Sequence, residues 1–164
     1  MLDQAIINTD TSVSAETVAN MLGLADRGKI YELLRHIAKG QASESLDLFR
    51  NLYNSGADIL MIFEELLNVI HSITQIKISP DIQNDISIPE LERVKGSEFA
   101  TQLSMNSLSL MWQVLFKGFQ ELQNGFHLFQ HGEMIIVRLI FINNSPNPEP
   151  VSYTHLTLPT KRIV

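Results

Sequence analysis

The sequence predicts an all-α fold of about seven or eight helices. Two observations point there. Apolar residues recur at helical spacing through most of the 164 residues, and the 6 prolines fall mainly late in the chain, leaving long stretches free of breakers. A β-favouring run occurs only at 134–142, with no partner strand elsewhere, and a lone strand cannot make a sheet.

The elements follow in order. "LDQAIIN" looks like the end of a helix begun earlier, which predicts a truncated N-terminus. "SAETVANMLG" reads as a short helix with Ser14 as N-cap and Gly23 at its end. Asp26 caps "RGKIYELLRHIAKG", where Ile30, Leu33, Leu34 and Ile37 share one face and Gly40 closes it. "SESLDLFRNLYNSG" repeats the design with Leu46, Phe49, Leu52 and Tyr53, closed by Gly56. Asp58 caps a long helix that stops at Pro80, and "PDIQNDIS" reads as a polar loop. Ser87, Pro89 and Glu90 carry a capping-box spacing for the next helix. Ser104 caps "MNSLSLMWQVLFKGFQELQNG", and "FHLFQHGEMIIVRLIFIN" is the last helix before the linker "NSPNPEP".

Composition narrows the function classes. With 45% hydrophobic and 18% charged residues, the chain can bury a core and is not a disordered one. It has no cysteine, so disulfides, Fe–S clusters and Cys-based zinc sites are excluded. The apolar run at 134–142 is interrupted by Arg138 and is far shorter than the roughly 20 residues a spanning helix needs, so no membrane role is expected. Net charge is −6, and the basic residues form no stripe, which argues against direct nucleic-acid binding.

Candidate chemistry is sparse. Gly23, Gly28 and Lys29 have the spacing of a phosphate-binding loop. However, Ile30 stands where Ser or Thr should hold Mg²⁺, and a helix precedes instead of a strand. His127 and His131 lie four apart with Glu133 nearby, but no third ligand is recognisable. His36 and His71 sit within helical patterns, and Glu64–Glu65 and Glu90–Glu92 read as polar-face residues. No catalytic site and no cofactor is assigned to this segment.

Two groups stand out as candidate interface or buried-charge residues. Trp112, Phe116 and Phe119 form an aromatic stripe, which suits a core or an interface anchor. Glu133 and Arg138 interrupt the apolar stretch "GEMIIVRLIF". Five residues apart, they are about 140° out of phase on a helix and cannot pair with each other. Each is expected to meet a group on another helix or another subunit. Loss of such a buried partner costs on the order of 3–5 kcal/mol.

The ordered set "LDQAI", "VSAETVANMLGLADRGKIYELLRHIAKG", "LYNSGADILMIFEELLNVIHSITQIKI", "LSMNSLSLMWQVLFKGFQEL" and "GEMIIVRLIF" resembles bacterial DNA polymerase III gamma/tau subunits in the clamp-loader collar region, with an alphaproteobacterial flavour. The resemblance covers about residues 2–150. It implies the end of the ATPase lid at 1–12, a helical collar domain III at 13–144 and a Pro-rich linker at 145–150. It also implies a role in DNA replication: holding clamp-loader ATPase subunits together for sliding-clamp loading in the cytoplasm. The implied partners are further gamma/tau copies, delta and delta-prime. The family's Glu-Met…Arg pattern is matched by Glu133, Met134 and Arg138. ATP and zinc are expected only in the region upstream, with the ATPase module of the polymerase complex. The competing expectation is an unrelated helical adaptor that binds a partner helix through the Trp112 face. Residues 151–164, "VSYTHLTLPTKRIV", look like a translated sequencing adaptor and carry no expected function, His155 included.

Overall fold

The computed structural model describes residues 26–145. It contains α1 (Arg27–Ala38), α2 (Ala42–Asn54), α3 (Ile59–Ile78), a 3-10 turn (Pro80–Asn84), α4 (Glu90–Gln102), α5 (Met105–Asn124) and α6 (Leu128–Asn144). The described residues are all-α, with no strand among them. The helix expected at 14–23, the residues before it, the linker beyond Ser145 and the tail at 151–164 lie outside the described residues.

Three helix starts are capped as the sequence predicts. Asp26 Oδ1 accepts from the backbone N–H of Gly28 at 2.8 Å, Asp58 Oδ1 from Met61 at 3.2 Å, and Ser104 Oγ from Ser107 at 3.0 Å. Gly40 and Gly56 follow α1 and α2 with φ of 73° and 100°, a left-handed conformation that glycine adopts without Cβ strain.

Three expectations need correction. The capping box at Ser87 does not form. Helix α4 begins at Glu90 with Pro89 in the cap position, so Glu90 is too early in the helix to reach back. Ser87 instead gives both its N–H and its hydroxyl to Asp85 Oδ1, at 2.9 and 2.7 Å. The polar loop after Pro80 also contains one 3-10 turn. Helix α6 starts two residues later than Phe126, because His127 takes a left-handed conformation at φ 59°.

Helices α1, α3, α5 and α6 surround one core, with α4 against the outer side of α3 and α2 across α1 and α6. Phe49 links the layers: its ring meets Phe63 edge-on at 5.8 Å and stacks on Phe129 at 5.3 Å. The α5–α6 seam closes on Gly118, where an added Cβ would stand 2.7 Å from Ile135. Helix ends are tied across the fold as well. Lys77 Nζ donates to the Ala100 carbonyl at 2.9 Å, and Asn143 Nδ2 to that of Ala38 at 3.0 Å. Helix α3 is long and apolar enough by length and composition to cross a membrane. Nine of its residues are buried within the protein, so its apolar character serves the core.

Candidate interaction surface

Helix α5 is built with two apolar sides. Leu108, Met111, Leu115, Gly118 and Leu122 face the core at helical spacing. Met105, Trp112 and Phe116 recur at spacings of seven and four on a different side and stay exposed, Trp112 by 37% and Phe116 by 46%. Their two rings stack at 6.2 Å and 11°. Phe119, the third member of the stripe, is half-buried against the core instead. The aromatic stripe therefore divides between core and surface.

Beside this strip lies a groove of about 320 Å³ between α3 and α5, lined by His71, Thr74, Leu108, Ser109, Trp112 and Gln113. The two charges of α5, Lys117 and Glu121, are each turned about 100° or more round the helix from Phe116, so they lie off this strip. Protein interfaces have this composition at their centre: aromatic and Met side chains, few charges.

Glu133 and Arg138 do find partners on other helices. Arg138 Nη1 donates to Glu121 Oε2 of α5 at 3.1 Å, and Arg50 Nη2 of α2 to Glu133 Oε1 at 3.4 Å. Both pairs are open to solvent, with Arg138 and Arg50 side chains 45% and 54% exposed. The cost expected for a buried pair therefore does not apply, and each pair contributes no more than about 1 kcal/mol.

Sequence reasoning missed the most enclosed ionic group. Arg27 at the start of α1 reaches Glu65 of α3 at 2.9 Å and Glu92 of α4 at 2.8 Å. Glu65 and Glu92 are thus joints between helices rather than plain polar-face residues. The three residues come from three distant segments, so helical spacing within one segment gives no signal for them. Beside them, Tyr31 stacks on Phe99 at 6.1 Å, with its buried hydroxyl lacking a hydrogen-bond partner. Burial, then the Glu92 carboxylate, pushes the Tyr31 phenol up to about 12.

The other candidates resolve as structural groups. The Gly28 N–H, which would face a phosphate in a nucleotide loop, is taken by the Asp26 carboxylate, and Lys29 lies 4.0 Å from Glu32. An anion there would meet like charge. His127 lies outside the α6 helix proper, so it does not share a helical face with His131. No group of three or more potential metal ligands occurs among the described residues. His36 Nδ1 is 2.6 Å from Gln41 Oε1 and helps hold the α1–α2 turn.

Comparison with known proteins adds a family. Residues 13–152 match the family model described as DNA polymerase III subunits gamma and tau domain III. The chain is 28% identical over 152 residues to the DNA polymerase III subunit tau of Escherichia coli K12, and equally to that of Salmonella typhimurium LT2. Each match takes in 92% of this chain and 23% of the relative, so the chain spans about a quarter of the relatives' length.

Proposed function

The chain belongs to the family of DNA polymerase III gamma and tau domain III, and on that premise we propose that it is a non-catalytic collar domain of a clamp loader. Its work is to hold ATPase modules beside one another for sliding-clamp loading in DNA replication. The mechanism is tethering: helix–helix contacts raise the local concentration of the modules that each copy carries. The observation that carries this reading is the outer side of α5. Trp112, Phe116 and Met105 stay exposed there at helical spacing, with no charged residue on their strip.

Further copies of the same subunit and delta-type and delta-prime-type subunits fit as partners, in the bacterial cytoplasm. The alphaproteobacterial assignment rests on the wording of the sequence motifs. The domain limits 13–144, with the end of a lid before them and a non-native tail at 151–164, belong to the same reading. Family membership removes the unrelated adaptor, but the Trp112 face on which that reading relied remains as the contact surface.

Analytical ultracentrifugation of the chain, alone and mixed with full-length clamp-loader subunits, tests the proposal. Reversible association in the micromolar range, weakened by Trp112→Ala, is the expected result. A chain that stays monomeric and ignores every partner at tens of micromolar would sink it.

A further inference from the structure

The longest stretch of described residues without a buried one runs from Lys77 to Lys95. It takes in the 3-10 turn, the loop after it and the first half of α4. Ile82 is the apolar side chain in it that packs against the core, and it is only half-buried. Ile86, Leu91 and Val94 stay exposed. From Gly96 onward the same helix is anchored, because Phe99 and Ala100 are buried, as is Leu103 at its end. Local opening concentrates where buried apolar contacts are few, and the two halves of α4 differ in this respect.

The unanchored half is tied down by charge instead. Arg27 of α1 holds Glu65 of α3 at 2.9 Å and Glu92 of α4 at 2.8 Å. Glu65 belongs to the most buried helix, whereas Glu92 sits in the first turn of α4, on the unanchored side of Gly96. One guanidinium therefore joins a fixed element to a loosely held one. A second group pulls the other way. The Tyr31 hydroxyl is buried beside Glu92 without a hydrogen-bond partner, and opening of this side would let water satisfy it. Between the two halves stands Gly96, where α4 runs so close to α3 that an added Cβ would lie 2.6 Å from Ile76. Glycine has the weakest helix preference short of proline, so the helix parts most readily there.

We infer that residues 80–95 form a flap that opens as a unit, hinged at Gly96 and latched by the Arg27–Glu92 contact. The closed state is the one described above. In the open state Phe99, Ala100 and Leu103 keep the second half of α4 on α3, while Glu92 and the 3-10 turn leave the surface. The latch lies at the second described residue, next to the point where the preceding segment joins. A movement of that segment thus acts on the guanidinium before it acts on the core.

Native-state hydrogen exchange of the full chain tests this, read as protection of single amides. Amides of Arg93 to Gly96 should be protected more than about a hundredfold less than those of Phe63 to Ile73. Glu92→Gln should lower protection of the flap amides by about tenfold. In wild type, added salt should lower it in the same direction. Glu98→Gln is the control: Glu98 is 4.0 Å from Arg35 and exposed, so it should change the flap amides by less than about twofold. Ile136→Val separates the flap from the whole fold. It weakens the core in both the closed and the open state, so it should lower protection in α3 severalfold and leave the flap amides unchanged. Three outcomes overturn the inference: flap amides as protected as those of α3, flap amides that respond to Ile136→Val as α3 does, or flap amides indifferent to both Glu92→Gln and salt. If Glu92→Gln does not fold, the salt series on wild type decides by itself.

Discussion

Helices α3 and α5 have the same length, 20 residues, and opposite economies of surface. Helix α3 buries nine side chains, among them Phe63, Ile70 and Ile73, and its neighbours enclose it on most sides. Helix α5 buries five residues and leaves Trp112 and Phe116 in water. An apolar side chain inside α3 is explained by the fold. An apolar side chain on the outer side of α5 adds little to the fold of one copy, so its presence points outward to a partner.

The sharpest way to break that comparison is to truncate one aromatic on each helix. Phe63→Ala removes a fully buried ring that meets Phe49 edge-on, and should cost about 3–5 kcal/mol of stability in urea unfolding. Trp112→Ala should cost about 1 kcal/mol or less under the same conditions, because its ring is partly solvated and stacks only on another surface ring. Its main effect should appear in association. Equal losses of stability would show that the α5 face is part of the core.

The enclosed side of α3 can also be probed by pH. In the folded chain the Tyr31 phenol titrates at about 12, against 10.0 for the unperturbed group. Below pH 10 the phenol is protonated in both states, and its contribution to stability is complete. Between pH 10 and about 12 the unfolded state loses this proton and the folded state keeps it, so stability falls as pH rises. The total loss is about 3 kcal/mol. Tyr31→Phe should abolish this share of the alkaline slope. At neutral pH the same substitution should be neutral or stabilising by about 1 kcal/mol, because it deletes a buried hydroxyl without a partner. An unchanged alkaline slope in the variant would show that Tyr31 is not enclosed.

These contrasts also mark what was legible in the sequence. Helical periodicity locates the core face of α1, where Ile30, Leu33, Leu34 and Ile37 are all buried, but on α2 it includes Tyr53, which stays 47% exposed. Asp26, Asp58 and Ser104 announce their helices because capping is a local interaction. The Ser87 cap misleads for the same reason: Asp85, two residues upstream, competes for the same hydroxyl. Periodicity cannot say which apolar side of a helix is left open when, as on α5, there are two. The split between half-buried Phe119 and exposed Trp112 is settled by the neighbouring helices α3 and α6. The Arg27–Glu65–Glu92 joint is illegible for a related reason, since its members are brought together only by tertiary packing.

The smallest expected effect concerns the α5–α6 edge. Arg138 and Glu121 stand 3.1 Å apart, but both are over a third exposed, so water solvates whichever charge is left when the other is removed. Arg138→Ala should therefore lower monomer stability by less than about 1 kcal/mol, and added salt should erase most of the difference. A double-mutant cycle with Glu121→Ala isolates the pair from whatever else either side chain contributes. Run at two protein concentrations, the cycle does more than measure a weak contact. A coupling that stays small at all concentrations leaves the pair on a free edge. A coupling that grows as copies associate means that assembly excludes water from it, and the docking face then extends from α5 onto α6.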